Sequence, residues 1–70
     1  MLDRNKFKEP SELLNKQFIH CISKQIFKVN SIAPQLGTPD DYIVICNNIK
    51  TGISSQFTFS DFIDLHNEVE

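Results

Sequence analysis

Four side chains in this sequence have the chemistry to bind a transition metal: His20, Cys21, Cys46 and His66. Their number matches the four ligands of a tetrahedral zinc site. Structural zinc sites, however, take their ligands as close pairs, because one tight turn must aim both side chains at the same ion. The chain has no such pair, and adjacent strand residues such as His20 and Cys21 point to opposite faces. We therefore expect these residues to pack in the core or lie on the surface, with no metal or cofactor bound.

A nucleophilic active site is the second chemistry to consider, with Cys21 or Cys46 activated by His20. Such a site needs a walled pocket, and a chain this short has little material to build one. The sequence also contains neither a glycine-rich phosphate loop nor a nucleophile elbow. The aspartate pairs at 40–41 and 61–64 are typical of a turn and a helix start. The sequence therefore predicts a protein that is not an enzyme.

The aromatic residues indicate a third chemistry, the stacking of single-stranded nucleic-acid bases on a small sheet. Such a platform needs interleaved cations, but the chain carries seven Lys and Arg against nine Asp and Glu, a net charge of −2. This balance lacks the basic excess of nucleic-acid-binding domains, so nucleic acid is not the expected partner. Core packing is expected for most of the phenylalanines. The residues best suited to contact a partner are Tyr42, Phe57, Phe59, Lys28 and Lys50.

The length of 70 residues allows one domain with a thin core. A chain of this size buries only about 60% of its unfolded surface, so a partner or a homodimer is expected to add stability. Both cysteines lie in apolar runs, a pattern typical of core residues in a reducing compartment, which favours the cytoplasm. No apolar run has the length of a membrane span, and the first residues lack the apolar segment of a signal peptide, so no membrane association is expected.

Residues 11–29 decide the fold class, because their pattern fits both a helix and a pair of strands. A helix would place six apolar residues on one face: Leu14, Phe18, Cys21, Ile22, Ile26 and Val29. Two strands would instead bend at Ser23 and Lys24. The abundance of β-branched and aromatic residues favours strands. We therefore predict a mainly β domain, with an α+β domain containing a helix over 11–29 as the alternative.

The pattern of the second half of the chain predicts an antiparallel pair of strands. Residues 33–41 contain two prolines and a glycine and form the longest loop. An apolar strand over 41–47 follows, and Gly52 supplies the positive φ of a short hairpin turn. The returning strand over 53–59 alternates between apolar and polar residues, so one of its faces is exposed.

The ends of the chain complete the expected organisation. The pattern indicates an N-terminal arm over residues 1–10 and a single small barrel domain over 11–70. Short helical turns are expected over 11–15 and 60–66, the second capped by Ser60, and the last four residues are expected to fray.

Several motifs together resemble small bacterial and phage domains of uncharacterised function that have an SH3-like barrel. These are Phe18-x-His20-x-x-Ser23-Lys24-x-x-Phe27-x-Val29, Tyr42-x-Val44, the turn Lys50-Thr51-Gly52, and Phe57-x-Phe59-x-x-Phe62. The resemblance implies a partly open antiparallel barrel. The chain departs from the pattern where Lys24 replaces the usual hairpin glycine and where the tryptophan common near the last strand is missing. The family brings no established activity.

The function favoured by these observations is a small, non-enzymatic accessory or regulatory module that binds another protein through a sheet edge. The abundance of Ile, Asn and Lys favours a phage or mobile-element origin. A barrel that binds single-stranded nucleic acid is the alternative.

Overall fold

A computed structural model describes residues 2–34 and 42–69 of the chain. A 3₁₀ turn, Pro10–Leu13, precedes the first strand, and one helix, α1 (Phe59–Leu65), lies between the last two strands. The strands are β1 (Gln17–His20), β2 (Ile26–Ala33), β3 (Ile43–Asn48), β4 (Ser54–Thr58) and β5 (His66–Glu68).

The five strands form one open antiparallel sheet in the order β4-β3-β2-β1-β5. The mainly β prediction is therefore confirmed, and the alternative of a helix over 11–29 is wrong. Phe18 lies on β1, and Ile26 and Val29 lie on β2, so residues that would have shared one helix face are divided between two paired strands. The physical reason is the run of β-branched and aromatic side chains, which pack well on a pleated surface and poorly against a helical turn.

Both hairpin turns form where the sequence predicts them. Lys24 in the β1–β2 turn has a φ of 62°, and Gly52 in the β3–β4 turn has a φ of 77°. The two turns are stabilised in the same way. In each, the side chain of the last residue of the preceding strand accepts hydrogen bonds from two backbone amides of the turn. The Nδ1 atom of His20 accepts from the amides of Ile22 and Ser23, both at 3.2 Å. In the other turn Asn48 Oδ1 plays this part toward residues 50 and 51.

The core lies between one face of the sheet and α1. Alternate strand residues point into it, as the two-residue period of a strand requires. Its buried apolar members are Leu2, Phe7, Leu13, Phe18, Phe27, Val29, Val44, Cys46, Phe59, Phe62 and Ile63.

Residues 2–10, which the sequence pattern separates as an arm, pack against the rest of the domain. Leu2 and Phe7 are 4% and 1% exposed, and the amide of Leu2 donates to the carbonyl of Ile63 at 2.9 Å. The ring of Phe7 meets that of Phe18 edge to face at 5.7 Å. The segment therefore closes one side of the core. Burial of its two apolar side chains is favourable, and its cations stay at the surface in contact with water.

The C-terminal end differs in detail from the sequence prediction. Thr58, not Ser60, caps α1, since its hydroxyl accepts the amide of Asp61 at 3.2 Å. Asn67 and Glu68, two of the residues expected to fray, instead belong to β5, in which His66 lies opposite His20 and Glu68 opposite Phe18. Among the described residues, no helix has the length and apolar character needed to cross a membrane.

Candidate functional site

His66 lies at the centre of an aromatic cluster and has no exposed surface. Its ring stacks on Phe62 with centroids 4.0 Å apart and an interplanar angle of 14°. Three further rings meet it edge to face, His20 at 5.0 Å, Phe57 at 5.1 Å and Phe27 at 5.8 Å. The imidazole is therefore part of the apolar packing that joins α1 to the sheet.

The protonation of His66 follows from its hydrogen bonds. The carbonyl of Phe62 lies 3.0 Å from Nδ1 and can only accept, so Nδ1 carries the proton. The other nitrogen, Nε2, is buried and has no partner in the described part of the chain. Burial lowers the pKa of His66 to about 4, the carbonyl of Phe62 opposes this shift, and nearby His20 adds to it. The side chain is therefore neutral at physiological pH.

The cysteines do not join the histidines in a reactive site. Burial raises the pKa of the Cys46 thiol to about 11, so it stays protonated and is a poor nucleophile or metal ligand. Cys21 is half-buried, and its sulfur accepts a hydrogen bond from the side-chain nitrogen Nδ2 of Asn67 at 3.3 Å. Within residues 2–34 and 42–69, no three His, Cys, Asp or Glu side chains are placed to hold a metal ion. Metal and nucleophilic chemistry therefore have no positive support in the geometry.

The five residues predicted to contact a partner do not form one exposed surface. Phe59 is a core residue with 2% exposure, and half-buried Phe57 packs against the core and His66. Tyr42 is also half-buried and lines a groove of about 550 Å³ beside the 3₁₀ turn. Lys28 is exposed on β2, and Lys50 is exposed at the β3–β4 turn. The three aromatic residues of this set thus pack mainly in or against the core, and only Lys28 and Lys50 are exposed.

A cleft forms where the β1–β2 turn lies against the β3–β4 turn, and we call it the two-turn cleft. Lys24 lines one wall, and Ile49 and Lys50 line the other, around a volume of about 350 Å³. A smaller depression of about 140 Å³ adjoins it and extends to Ile53 and Ser55 at the start of β4. The amide of Ile49 donates to the carbonyl of Ile26 at 3.1 Å, which holds the turns together. The cleft is therefore built into the β2–β3 pairing.

Charge is distributed unevenly over the fold. Every Asp and Glu lies within residues 1–12, 40–41 or 61–70, so strands β1 to β4 and their two hairpin turns contain no carboxylate. The same elements carry Lys24, Lys28 and Lys50. Thus, in a protein with a net charge of −2, strands β1 to β4 and their hairpin turns are basic, and the carboxylates lie outside them.

The two edges of the sheet differ in how well they are protected from pairing with another strand. Natural edge strands discourage such pairing with charged residues, prolines or short length. β5 has three residues, and Glu68 on it forms an ion pair with Lys6 at 2.6 Å. β4 has five residues, Ser-Ser-Gln-Phe-Thr, with neither a charge nor a proline. Of the two edges in the described residues, β4 is the one suited to accept a strand.

The sequence pattern predicted neither that Lys24 contacts a partner nor that His66 lies at the centre of an aromatic cluster. The absence of carboxylates between residues 13 and 39 was a usable signal for the first. No local signal marks the second, because the burial of His66 depends on rings contributed by α1, β2 and β4.

No family model, curated protein or solved structure matches the chain. Function must therefore be inferred from the chain's own geometry.

Proposed function

We propose that this protein is a small, non-enzymatic module that binds another protein by taking an extended segment of it as a further strand on β4. The observation that carries the proposal is the unprotected β4 edge of the sheet, five residues long and without charge or proline. Main-chain hydrogen bonds along such an edge supply affinity for an extended peptide with little dependence on its sequence. Cys21 and Cys46 are thiols and form no disulfide, which supports a reducing, cytoplasmic setting.

The hydrogen-bond pattern of β4 identifies the backbone groups that an added strand would pair with. At one end of the β3–β4 ladder Asn48 donates to Ile53 at 2.9 Å, and at the other Phe59 donates to Tyr42 at 2.8 Å. Because bonded and non-bonded pairs alternate in an antiparallel ladder, Gln56 lies in a non-bonded pair. Its amide and carbonyl therefore point away from β3, toward the open edge.

The competing function, binding of single-stranded nucleic acid, lacks a stacking surface. All seven aromatic side chains are described, and each is buried or half-buried. Base stacking needs an accessible ring face, so the cations of the sheet have no aromatic partner for this purpose. The geometry gives this alternative no observation of its own, and it enters as an outcome of the test.

Substitution of Gln56 tests strand addition with little damage to the fold. Proline at this position removes the outward amide but no ladder hydrogen bond, because proline is tolerated where an edge N–H faces outward. Gln56→Thr is the matched control, since it changes the exposed side chain and keeps the amide. We would capture proteins from a lysate of the source cells with both variants and the wild type, then titrate the purified partner at two salt concentrations.

The proposal requires one protein to bind directly to wild type and Gln56→Thr, to be lost with Gln56→Pro, and to show mild salt dependence. Protection of the Ser54, Gln56 and Thr58 amides from hydrogen exchange in the complex is the direct signature. Equal binding by Gln56→Pro would refute strand addition. Tight, steeply salt-dependent binding of a mixed-sequence single strand, with no protein recovered, would favour the nucleic-acid alternative. A dimer seen by sedimentation and lost in Gln56→Pro would make a second copy the occupant and would overturn the proposal of a different protein.

A further inference from the structure

We infer that the two-turn cleft selects the partner segment, and that it recognises an aliphatic side chain followed by a carboxylate. This inference rests on the proposed function, because it names the chemistry of the segment that β4 would bind. The cleft and the edge are continuous, since Ile53 and Ser55 line the depression and lie at the start of β4. A strand paired with β4 therefore runs past the cleft at that end.

Exposed aliphatic side chains give the cleft its apolar character. Ile49 is 51% exposed and Ile53 is 66% exposed, although isoleucine is normally among the most buried residues. Half-buried Ile26 lines the cleft with Ile49, and Ile53 lines the adjoining depression. A branched aliphatic side chain from a partner would cover this surface and remove it from water.

The floor of the cleft is preformed. Asn48 is 6% exposed, and its Oδ1 accepts the amides of Lys50 at 2.9 Å and Thr51 at 3.2 Å. The amide of Gly52 also donates to the carbonyl of Asn48 at 2.7 Å. These hydrogen bonds hold the turn that carries Lys50 in one conformation, so binding loses little conformational entropy from ordering this loop.

The charges of the cleft call for a carboxylate from outside. Two other cations of the described residues pair within the fold, Lys6 with Glu68 at 2.6 Å and Arg4 with Asp64 at 3.9 Å. Lys24 and Lys50 have no carboxylate partner in residues 2–34 and 42–69, and no Asp or Glu lines the cleft. Two ammonium groups beside an apolar surface complement a segment that combines an aliphatic and an acidic residue.

Selection from random peptides displayed on phage tests this chemistry and does not require the partner to be identified. The full chain is immobilised, and the selected peptides are synthesised and titrated by fluorescence anisotropy. We expect a consensus with an aliphatic residue next to Asp or Glu. The double substitution Lys24→Gln and Lys50→Gln should weaken binding about tenfold, as expected for two exposed charge pairs. Lys8→Gln is the matched control, because Lys8 is also exposed, lies outside the cleft and was not predicted to contact a partner, and it should bind like the wild type.

The outcomes separate this inference from the proposed function. If selected peptides lack acidic residues, or the double variant binds as tightly as the Lys8→Gln control, recognition by the cleft is refuted while strand addition can stand. If acidic peptides bind, depend on Lys24 and Lys50, and bind equally to Gln56→Pro, the cleft is a site but strand addition on β4 is wrong. If no peptide is selected, both fail. Binding of an oligonucleotide with the same dependence on the two lysines would also overturn the inference, because the site would then be reading phosphate.

Discussion

Lowering the pH from about 7.5 to about 4.5 should destabilise the fold by about 2.5 kcal/mol through one side chain, His66. The pKa of this imidazole is about 4 in the folded protein and 6.5 in the unfolded chain. The unfolded state therefore binds the proton more readily. The contribution of His66 to stability is complete above the unfolded pKa and is lost as the pH falls through 6.5 toward the folded pKa. Each unit of difference is worth about 1.4 kcal/mol, so the full loss approaches about 3.4 kcal/mol well below pH 4.

Stability depends on pH because the His66 ring is buried and a second proton on it would have no partner among the described residues. Nδ1 already donates to Phe62, and a proton on Nε2 would place a charge among the rings of Phe27, Phe57 and Phe62. A charge without a partner is unfavourable in such surroundings. Below pH 4.5 the carboxylates also titrate, so the informative window lies above that value.

Urea unfolding followed by circular dichroism at stepped pH measures the effect, and the NMR titration of the His66 ring gives its pKa directly. His66→Phe should remove most of the pH dependence, because it fills the cluster without a titrating group. His20→Asn is the matched control. Its side chain can accept the amides of Ile22 and Ser23 as Asn48 does in the other turn, so it should retain the dependence. Equal stability of the wild type at the two pH values, or a His66 pKa near 6.5, would refute the reasoning.

Three further substitutions test the packing and the turns, each by urea unfolding. Phe7→Ala should destabilise the fold by about 3 to 5 kcal/mol, because the ring is buried in the core. Lys8→Ala is the control and should change stability by under about 0.5 kcal/mol, because Lys8 is exposed. Equal effects of the two substitutions would mean that residues 2–10 do not pack as described. Thr58→Ala should remove about 1 kcal/mol by uncapping α1, and Thr58→Ser should restore it. Gly52→Ala should remove about 1 kcal/mol through its φ of 77° alone, since no atom lies within 4 Å of the added methyl group, and an unchanged midpoint would contradict that φ.

The strands of the sheet could be predicted from local sequence because their causes are local. The β-branched residues on either side of Lys24 fit a pleated, half-buried surface better than a helical turn, so their local abundance favours strands. Gly52 supplies a positive φ without help from the rest of the fold. The alternation of residues 53–59 places Phe57 on the apolar face of the strand, and that side chain packs against the buried core.

Three features of the candidate site and its support depend on distant contacts, and the sequence pattern alone could not supply them. Residues 2–10 look like a solvated arm because cations flank Phe7, yet the core provides a site for that ring. β5 consists of His, Asn and Glu, which have no strand preference, and it forms because β1 offers an edge.

The two-turn cleft, the third feature, shows the division most clearly. Composition alone determined that residues 13–39 and 42–60 carry cations and no carboxylate. Only the antiparallel pairing of β2 with β3 decided that Lys24 and Lys50, far apart along the chain, line one cleft beside exposed isoleucines. The physical reason is that charge and backbone preference belong to single residues and their neighbours. Surface shape and burial belong to pairs of residues that meet only when the whole chain has folded.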